Sequence, residues 1–152
     1  MNANTSSSGF TTSPGPPLIG ALLRVPLEAV HQRMLDGLAE RGFDDLDAAH
    51  LAVFQYPGPQ GARPSELAAR LRISKQALNY LLGELERLGY LERRPDPDDL
   101  RSKRIALTRR GGTVVKVIRE TVAELEREWE AQLGPKRFAQ LRTLLEELNA
   151  LA

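Results

Sequence analysis

The sequence predicts a mostly α-helical fold with a small two- to three-stranded β-wing: a winged helix-turn-helix flanked by N- and C-terminal helices. Three observations predict it. Residues 64–88 read as two short amphipathic helices separated by a tight break at Arg72-Ile73. Two β-type runs follow, 90–94 and 103–107, joined by the turn-rich segment 95–102. Long apolar stripes at helical spacing lie on either side, more than a small winged helix needs for its own core.

The chain of 152 residues fits one domain. Residues 1–17, MNANTSSSGFTTSPGPP, carry no charge and little that could form a core, so a flexible tail is expected, with the single domain spanning 18–152. Residues 18–41 read as a helix with Leu18, Leu22, Val25, Val30, Met34 and Leu38 at suitable intervals. Pro26 removes one backbone donor inside it, which predicts a kink. A second helix is expected over 43–55, capped by Asp44, Asp45 or Asp47, and the run Tyr56-Pro57-Gly58-Pro59-Gln60-Gly61 must be a loop; it could form one wall of a pocket.

The helix-turn-helix begins at Pro64, a residue suited to the first helical position. Ser74 is a good N-cap for its second helix, since the hydroxyl can accept from an unpaired first-turn amide. Leu78, Leu81, Leu82, Leu85 and Leu88 then form one apolar stripe, and Gly89 ends the helix. The opposite face carries Gln76, Asn79, Tyr80 and Gly83, with Lys75 beside them. That face is polar but nearly uncharged in its first two turns. Gln and Asn can pair bidentately with adenine, Lys can reach guanine or phosphate, and a Tyr ring can lie against a thymine methyl. Taken alone, the same face also suits a solvated surface helix.

In the wing, Leu91 and the Ile105/Leu107 pair alternate with charged residues, as in strands with one buried face. Asp96-Pro97-Asp98-Asp99 is strong turn chemistry. Arg101 sits at the tip, where an arginine can enter a narrow minor groove, and Asp99 is placed to hold it by pairing. Arg93, Lys103 and Arg104 lie along the strands as phosphate contacts. A charged hairpin kept soluble by its edge residues has the same pattern. Charge distribution favours nucleic acid. The net charge is only +1, yet residues 63–110 hold twelve basic and seven acidic side chains, a balance of +5, against −3 for 1–62 and −1 for 111–152.

After the wing, a long helix starts at Thr108, with Gly111-Gly112 as a helix-entry feature. Its stripe is Val114/Val115, Ile118, Val122, Leu125, Trp129 and Leu133. Gly134-Pro135 breaks it, and a final helix carries Phe138, Leu141, Leu144, Leu145, Leu148 and Leu151. Two readers held about one DNA turn apart read a palindrome together. The surplus apolar surface on 18–42 and 111–152 therefore predicts two-fold dimerisation helices, with Leu22, Trp129, Leu133, Phe138 and Leu145 as interface candidates. The same residues could instead close a monomer core.

The absence of cysteine excludes a disulfide framework and thiolate metal sites. His31 and His50 are the only histidines, so no metal site and no cofactor is expected. No nucleophile elbow, His-Glu metal motif or phosphate-cradling glycine loop is present, and no catalytic residue is assigned. No apolar run approaches membrane-spanning length and no signal peptide is evident, so a cytoplasmic location is expected.

The segment Asp96-Pro97-Asp98-Asp99-Leu100-Arg101, followed by Ile105-Ala106-Leu107-Thr108 and Gly111, resembles the wing signature of the MarR family of transcriptional regulators. Ser65-Glu66-Leu67-Ala68, Ser74-Lys75-Gln76-Ala77-Leu78 and Leu85-Glu86-Arg87-Leu88-Gly89-Tyr90-Leu91-Glu92-Arg93 are similar to that family's helix-turn-helix, particularly to members with Lys-Gln-Ala opening the recognition helix and Ala-His, here Ala49-His50, in the preceding helix. The likeness runs from about residue 18 to the C-terminus. Arg63 stands where the family often has a Ser or Thr cap, and Leu100 where a basic residue is common.

The resemblance implies a homodimer that binds double-stranded DNA; on the reading of the helix face and wing above, the contact residues are Ser74, Lys75, Gln76, Asn79, Tyr80, Arg93, Arg101, Lys103 and Arg104. It implies terminal helices that pair the two copies, and a small aromatic or phenolic effector near the first two helices, with His31 and His50 as candidate lining residues. Without cysteine, the thiol-based peroxide sensing of some relatives is excluded. The expected function is a ligand-responsive repressor acting on a palindromic operator. The alternative is a winged-helix protein-interaction module without specific DNA binding.

Overall fold

The structure, a computed structural model, describes residues 15–55 and 61–151. Most of the expected tail and most of the 56–61 loop lie outside the described residues. The order of elements is α1 (Ile19–Ala39), α2 (Ala48–Phe54), α3 (Pro64–Leu71), α4 (Lys75–Arg87), β1 (Leu91–Asp96), β2 (Asp99–Leu107), α5 (Arg109–Leu133) and α6 (Pro135–Leu151). β1 and β2 pair antiparallel, with Leu91 opposite Leu107 and Arg94 opposite Arg104. The sheet has two strands, and a single isolated bridge between Ala62 and Ile105 ties the segment before α3 to β2.

α3 and α4 form where the local signals place them. Glu66 accepts from the Arg63 backbone N–H at 3.3 Å, so α3 starts without a Ser or Thr cap. Arg72 ends it in the left-handed region at φ 53°, and the Ile73 N–H closes the turn on the Ala68 carbonyl at 3.2 Å. The Ser74 hydroxyl accepts from Ala77 N–H at 3.0 Å. Leu78, Leu82 and Leu85 point into the core, joined there by Leu38, Leu51, Val53, Leu67, Tyr90, Ile105 and Val114. Leu81 and Leu88 are only partly buried.

Four expectations change. α2 starts at Ala48, five residues later than predicted, because Asp47 is the cap that is used: it accepts from the N–H groups of Ala49 and His50 at 2.9 and 3.1 Å. Phe43 and Asp45 belong instead to a loop against Tyr90 and Arg110. The strands are longer than predicted, and only Pro97 and Asp98 are left between them. α1 continues through Pro26 as one helix. On α5 the buried line is Val114, Val117, Thr121 and Leu125, rather than the predicted stripe alone.

Two glycines permit this packing. A Cβ on Gly37 of α1 would lie 2.5 Å from Thr121 Oγ1, and one on Gly111 would lie 2.1 Å from the Tyr90 carbonyl oxygen. The first lets α1 approach α5. The second lets α5 start directly against the wing, where Thr108 Oγ1 donates to the Gly89 carbonyl at 2.6 Å. At Gly111 the obstacle is backbone, which cannot rotate away. Gly111→Ala is therefore expected to destabilise the fold by about 1–3 kcal/mol, measurable by urea unfolding, whereas Gly112→Ala, where a Cβ meets nothing, should leave stability near wild type.

Candidate nucleic-acid interface

The buried leucines of α4 turn its other side outward. Ser74, Lys75, Gln76, Asn79, Tyr80, Gly83 and Arg87 are all exposed, and they fall at helical spacing on one face. Tyr80 is 67% exposed, unusual for an aromatic ring in a chain with this much core. A Cβ on Gly83 would meet nothing within 4 Å, so the space beside it is open to an incoming surface. The face as a whole is a row of donors and acceptors left uncovered by the described residues.

The wing is built on a buried carboxylate. Asp96 has no exposed surface. Its Oδ2 accepts from Arg63 Nε at 2.6 Å, and its Oδ1 accepts from Arg104 Nε and the Asp98 backbone N–H, each at 3.0 Å. Ser102 Oγ lies a further 3.4 Å from Oδ2. The hydrogen bond from the Arg63 guanidinium is the largest cause holding this carboxyl well below the usual carboxylate range, and burial opposes it. Arg63 precedes α3 and Arg104 lies on β2, so one side chain ties the wing to the helix-turn-helix.

Beyond that anchor the tip is open. Asp99 Oδ1 accepts from the backbone N–H of Arg101 at 3.0 Å, and the Ser102 hydroxyl donates to the Asp99 carbonyl at 3.0 Å. Asp99 thus holds the backbone of Arg101 rather than pairing with its guanidinium. The Arg101 side chain is exposed and makes no ion pair among the described residues, and Lys103 is likewise exposed. Arg104 is committed to Asp96 and Asp98, the latter at 2.9 Å, and Arg93 pairs with Glu86 at 2.9 Å. The sequence sets Arg101 apart as the tip residue and groups Arg93, Lys103 and Arg104 as phosphate contacts. Within that group the structure leaves Lys103 without an ion pair among the described residues and engages the other two. Asp96 was legible only as a turn residue, because its partner Arg63 lies 33 positions away.

The remaining predicted residues divide by place. His50 is buried, and both ring nitrogens have partners within the chain, Asp47 N–H and Glu84. His31 is half-buried on α1. Leu22, Leu133 and Leu145 are 51%, 38% and 38% exposed, whereas Phe138 is already buried within the single chain. Trp129 and Leu133 join Val25, Pro26, Ala29 and Leu141 around an open apolar groove of about 410 Å³ where α1, α5 and α6 meet. Every residue of α1 before Val30, and every described residue of α6 after Phe138, is exposed. No helix among the described residues is long and apolar enough to cross a membrane, and no acidic, histidine or cysteine cluster there could hold a metal ion.

Residues 44–102 match the MarR family. The transcriptional regulator PecS of Dickeya dadantii, described as HTH-type, is 33% identical over 135 residues, covering 84% of this chain and 77% of that protein. Among solved structures, CouR of Rhodococcus jostii bound to p-coumaroyl-CoA superposes with a TM-score of 0.68 at 23% identity, over 86% of this chain and 90% of CouR. A MepR F27L mutant of S. aureus bound to an oligodeoxyribonucleotide superposes with a TM-score of 0.58 at 23% identity, over 90% of this chain and all of the other, 100%. At that identity the two structures speak for the fold.

Proposed function

The chain belongs to the MarR family of transcriptional regulators, and on that premise we propose that it is a homodimeric, ligand-responsive repressor that reads a palindromic operator in double-stranded DNA. The observation that carries this reading is the pairing of an exposed polar face on α4 with an unengaged arginine at the tip of a braced wing. Gln76, Asn79 and Tyr80, with Ser74 and Lys75, enter the major groove. Arg101 enters the minor groove, where its freedom from intramolecular pairing matters most. Lys103 contacts phosphate, while Arg93 and Arg104 reach phosphate only by sharing or leaving their carboxylates. MepR in complex with an oligodeoxyribonucleotide supports a DNA-bound form of this architecture.

Segments 18–42 and 111–152 hold two copies together, through Leu22, Trp129, Leu133 and Leu145, with Phe138 supporting the α5–α6 packing beneath. A small aromatic or phenolic effector binds near α1, α2 and α5; the complex of CouR with p-coumaroyl-CoA supports that class. With the His50 nitrogens already committed, His31 is the better candidate ligand contact of the two histidines. The effector must bind the non-operator spacing of the two α4 helices more tightly to release DNA. The protein works by binding, in the cytoplasm, without cofactor or turnover.

Fluorescence anisotropy on labelled duplexes tests this over a salt series. Arg101→Ala is expected to weaken specific binding by about 1–3 kcal/mol. Lys103→Ala is expected to weaken binding to every sequence alike and to reduce the salt slope by about 1. Gln76→Ala should relax base preference more than it lowers non-specific affinity. Weak, salt-insensitive binding by the wild type would instead mark a protein-interaction module.

A further inference from the structure

Three side chains and one backbone N–H join the exposed face of α4 to the start of α2. The Tyr80 hydroxyl donates to Glu84 Oε1 at 3.2 Å, one helical turn along. The other carboxylate oxygen, Oε2, lies 3.3 Å from Nε2 of His50. His50 is buried, and its Nδ1 accepts the backbone N–H of Asp47 at 3.1 Å. Asp47 Oδ1 is also 3.1 Å from Nδ1, but that oxygen already accepts from the N–H groups of Ala49 and His50. A ring nitrogen that accepts an N–H carries no proton, so His50 carries its hydrogen on Nε2 and donates it to Glu84. Both oxygens of Glu84 are therefore acceptors in use, one toward the core and one toward Tyr80.

This fixes the polarity of an exposed group. A phenol has one donor hydrogen, and here Glu84 takes it. The carboxylate also pushes the Tyr80 phenol above its ordinary value, so the proton stays. What Tyr80 presents outward is an oxygen with lone pairs only. Resting on the reading of α4 as the helix in the major groove, we propose that Glu84, anchored by buried His50, sets Tyr80 as a hydrogen-bond acceptor and so selects an exocyclic amino group, adenine N6 or cytosine N4, at the base it meets. Thymine O4 and guanine O6 and N7 are themselves acceptors and are rejected there. A free tyrosine hydroxyl, able to rotate, would accept or donate and discriminate less. Glu84 and His50 are positioning residues: neither needs to touch DNA.

The test is base preference at each half-site position, measured by competition among duplexes with all four bases. Overall affinity is not the readout, because removing the Glu84 charge changes binding to every sequence. The wild type is expected to favour adenine or cytosine by about tenfold at one position, and Tyr80→Phe to flatten that position alone. Glu84→Ala frees the hydroxyl and should flatten the same position. Glu84→Gln makes the sharper prediction. Its amide oxygen must face the His50 Nε2–H, because the Asp47 N–H pins the tautomer, so its NH₂ turns to Tyr80 and donates. Tyr80 then offers its hydrogen to DNA, and the preference inverts toward guanine or thymine. A helix that is merely destabilised would not invert one base.

If Tyr80→Phe flattens a position while both Glu84 variants keep the wild-type preference there, the proposal is overturned and the recognition-helix reading stands. The same holds if Gln76→Ala alters base preference and Tyr80→Phe does not. If neither Tyr80→Phe nor Gln76→Ala changes preference at any position, α4 is not the reader and both ideas fall.

Discussion

Asp96→Ala is expected to lower the urea midpoint of unfolding by about 1–2 M and to loosen the wing. The carboxylate is enclosed, and it satisfies Arg63, Arg104 and a backbone N–H at once. Removing it leaves two guanidinium groups facing each other across the space it filled. Breaking a buried charged cluster by deleting one member costs more than the cluster itself contributes, because the survivors lose their hydrogen bonds. Arg104 would retain Asp98 at the surface, whereas Arg63 would lose its one ion-pair partner among the described residues. A midpoint within about 0.3 M of wild type would mean that the anchor is dispensable.

The same residue gives a pH prediction. Its folded pKa lies below the usual carboxylate range, chiefly because Arg63 hydrogen-bonds the ionised form. Asp96 in the unfolded chain titrates near 3.9. The stability it contributes is therefore fully present above about pH 4 and is lost as the pH falls toward its depressed folded value. Asp96→Asn, already uncharged, should lose less stability than wild type on acidification from about pH 4 to pH 2, by circular dichroism.

Leu22→Asp, on the exposed part of α1, is expected to convert a dimer to a monomer and to weaken binding to a palindromic duplex by roughly 10²–10⁴-fold. The residue is 51% exposed in the single chain, so an aspartate there leaves the protomer's own core intact. In a two-fold interface the new charge is buried opposite its own copy and left unpaired, which is costly twice over. Leu145→Asp on α6 should act in the same direction. Binding to a single half-site should change little, which separates lost pairing from lost reading. Sedimentation velocity on the unliganded protein measures the first effect. A dimer that survives both substitutions would place the interface elsewhere.

Much of this was readable in the sequence where the determinants are local. Pro64, Ser74, Gly89 and the Leu78–Leu82–Leu85 spacing fix α3 and α4 within a residue, because caps and stripes act within one or two turns. The start of α2 was not readable among Asp44, Asp45 and Asp47. What decides it is tertiary: the Tyr90 hydroxyl and Arg110 both engage Asp45 and hold it in a loop. Thr121 is buried because the α1 residue opposite it is a glycine, which no pattern on α5 can reveal. The nine residues expected to contact DNA fall on the outer face of α4 and on the wing strands, since alternation and helical period place side chains on faces. Which of the wing cations is free was hidden, because Arg63, Asp96 and Arg104 come together only after folding.

The most direct measurement is selection of bound duplexes from a random DNA pool at physiological salt. An enriched inverted repeat, with half-site centres about one helical turn apart, is the predicted result, and it would join the α4 reader and the paired terminal helices in one observation. Recovery of no preferred sequence, or of a single site without its inverted copy, would contradict the account.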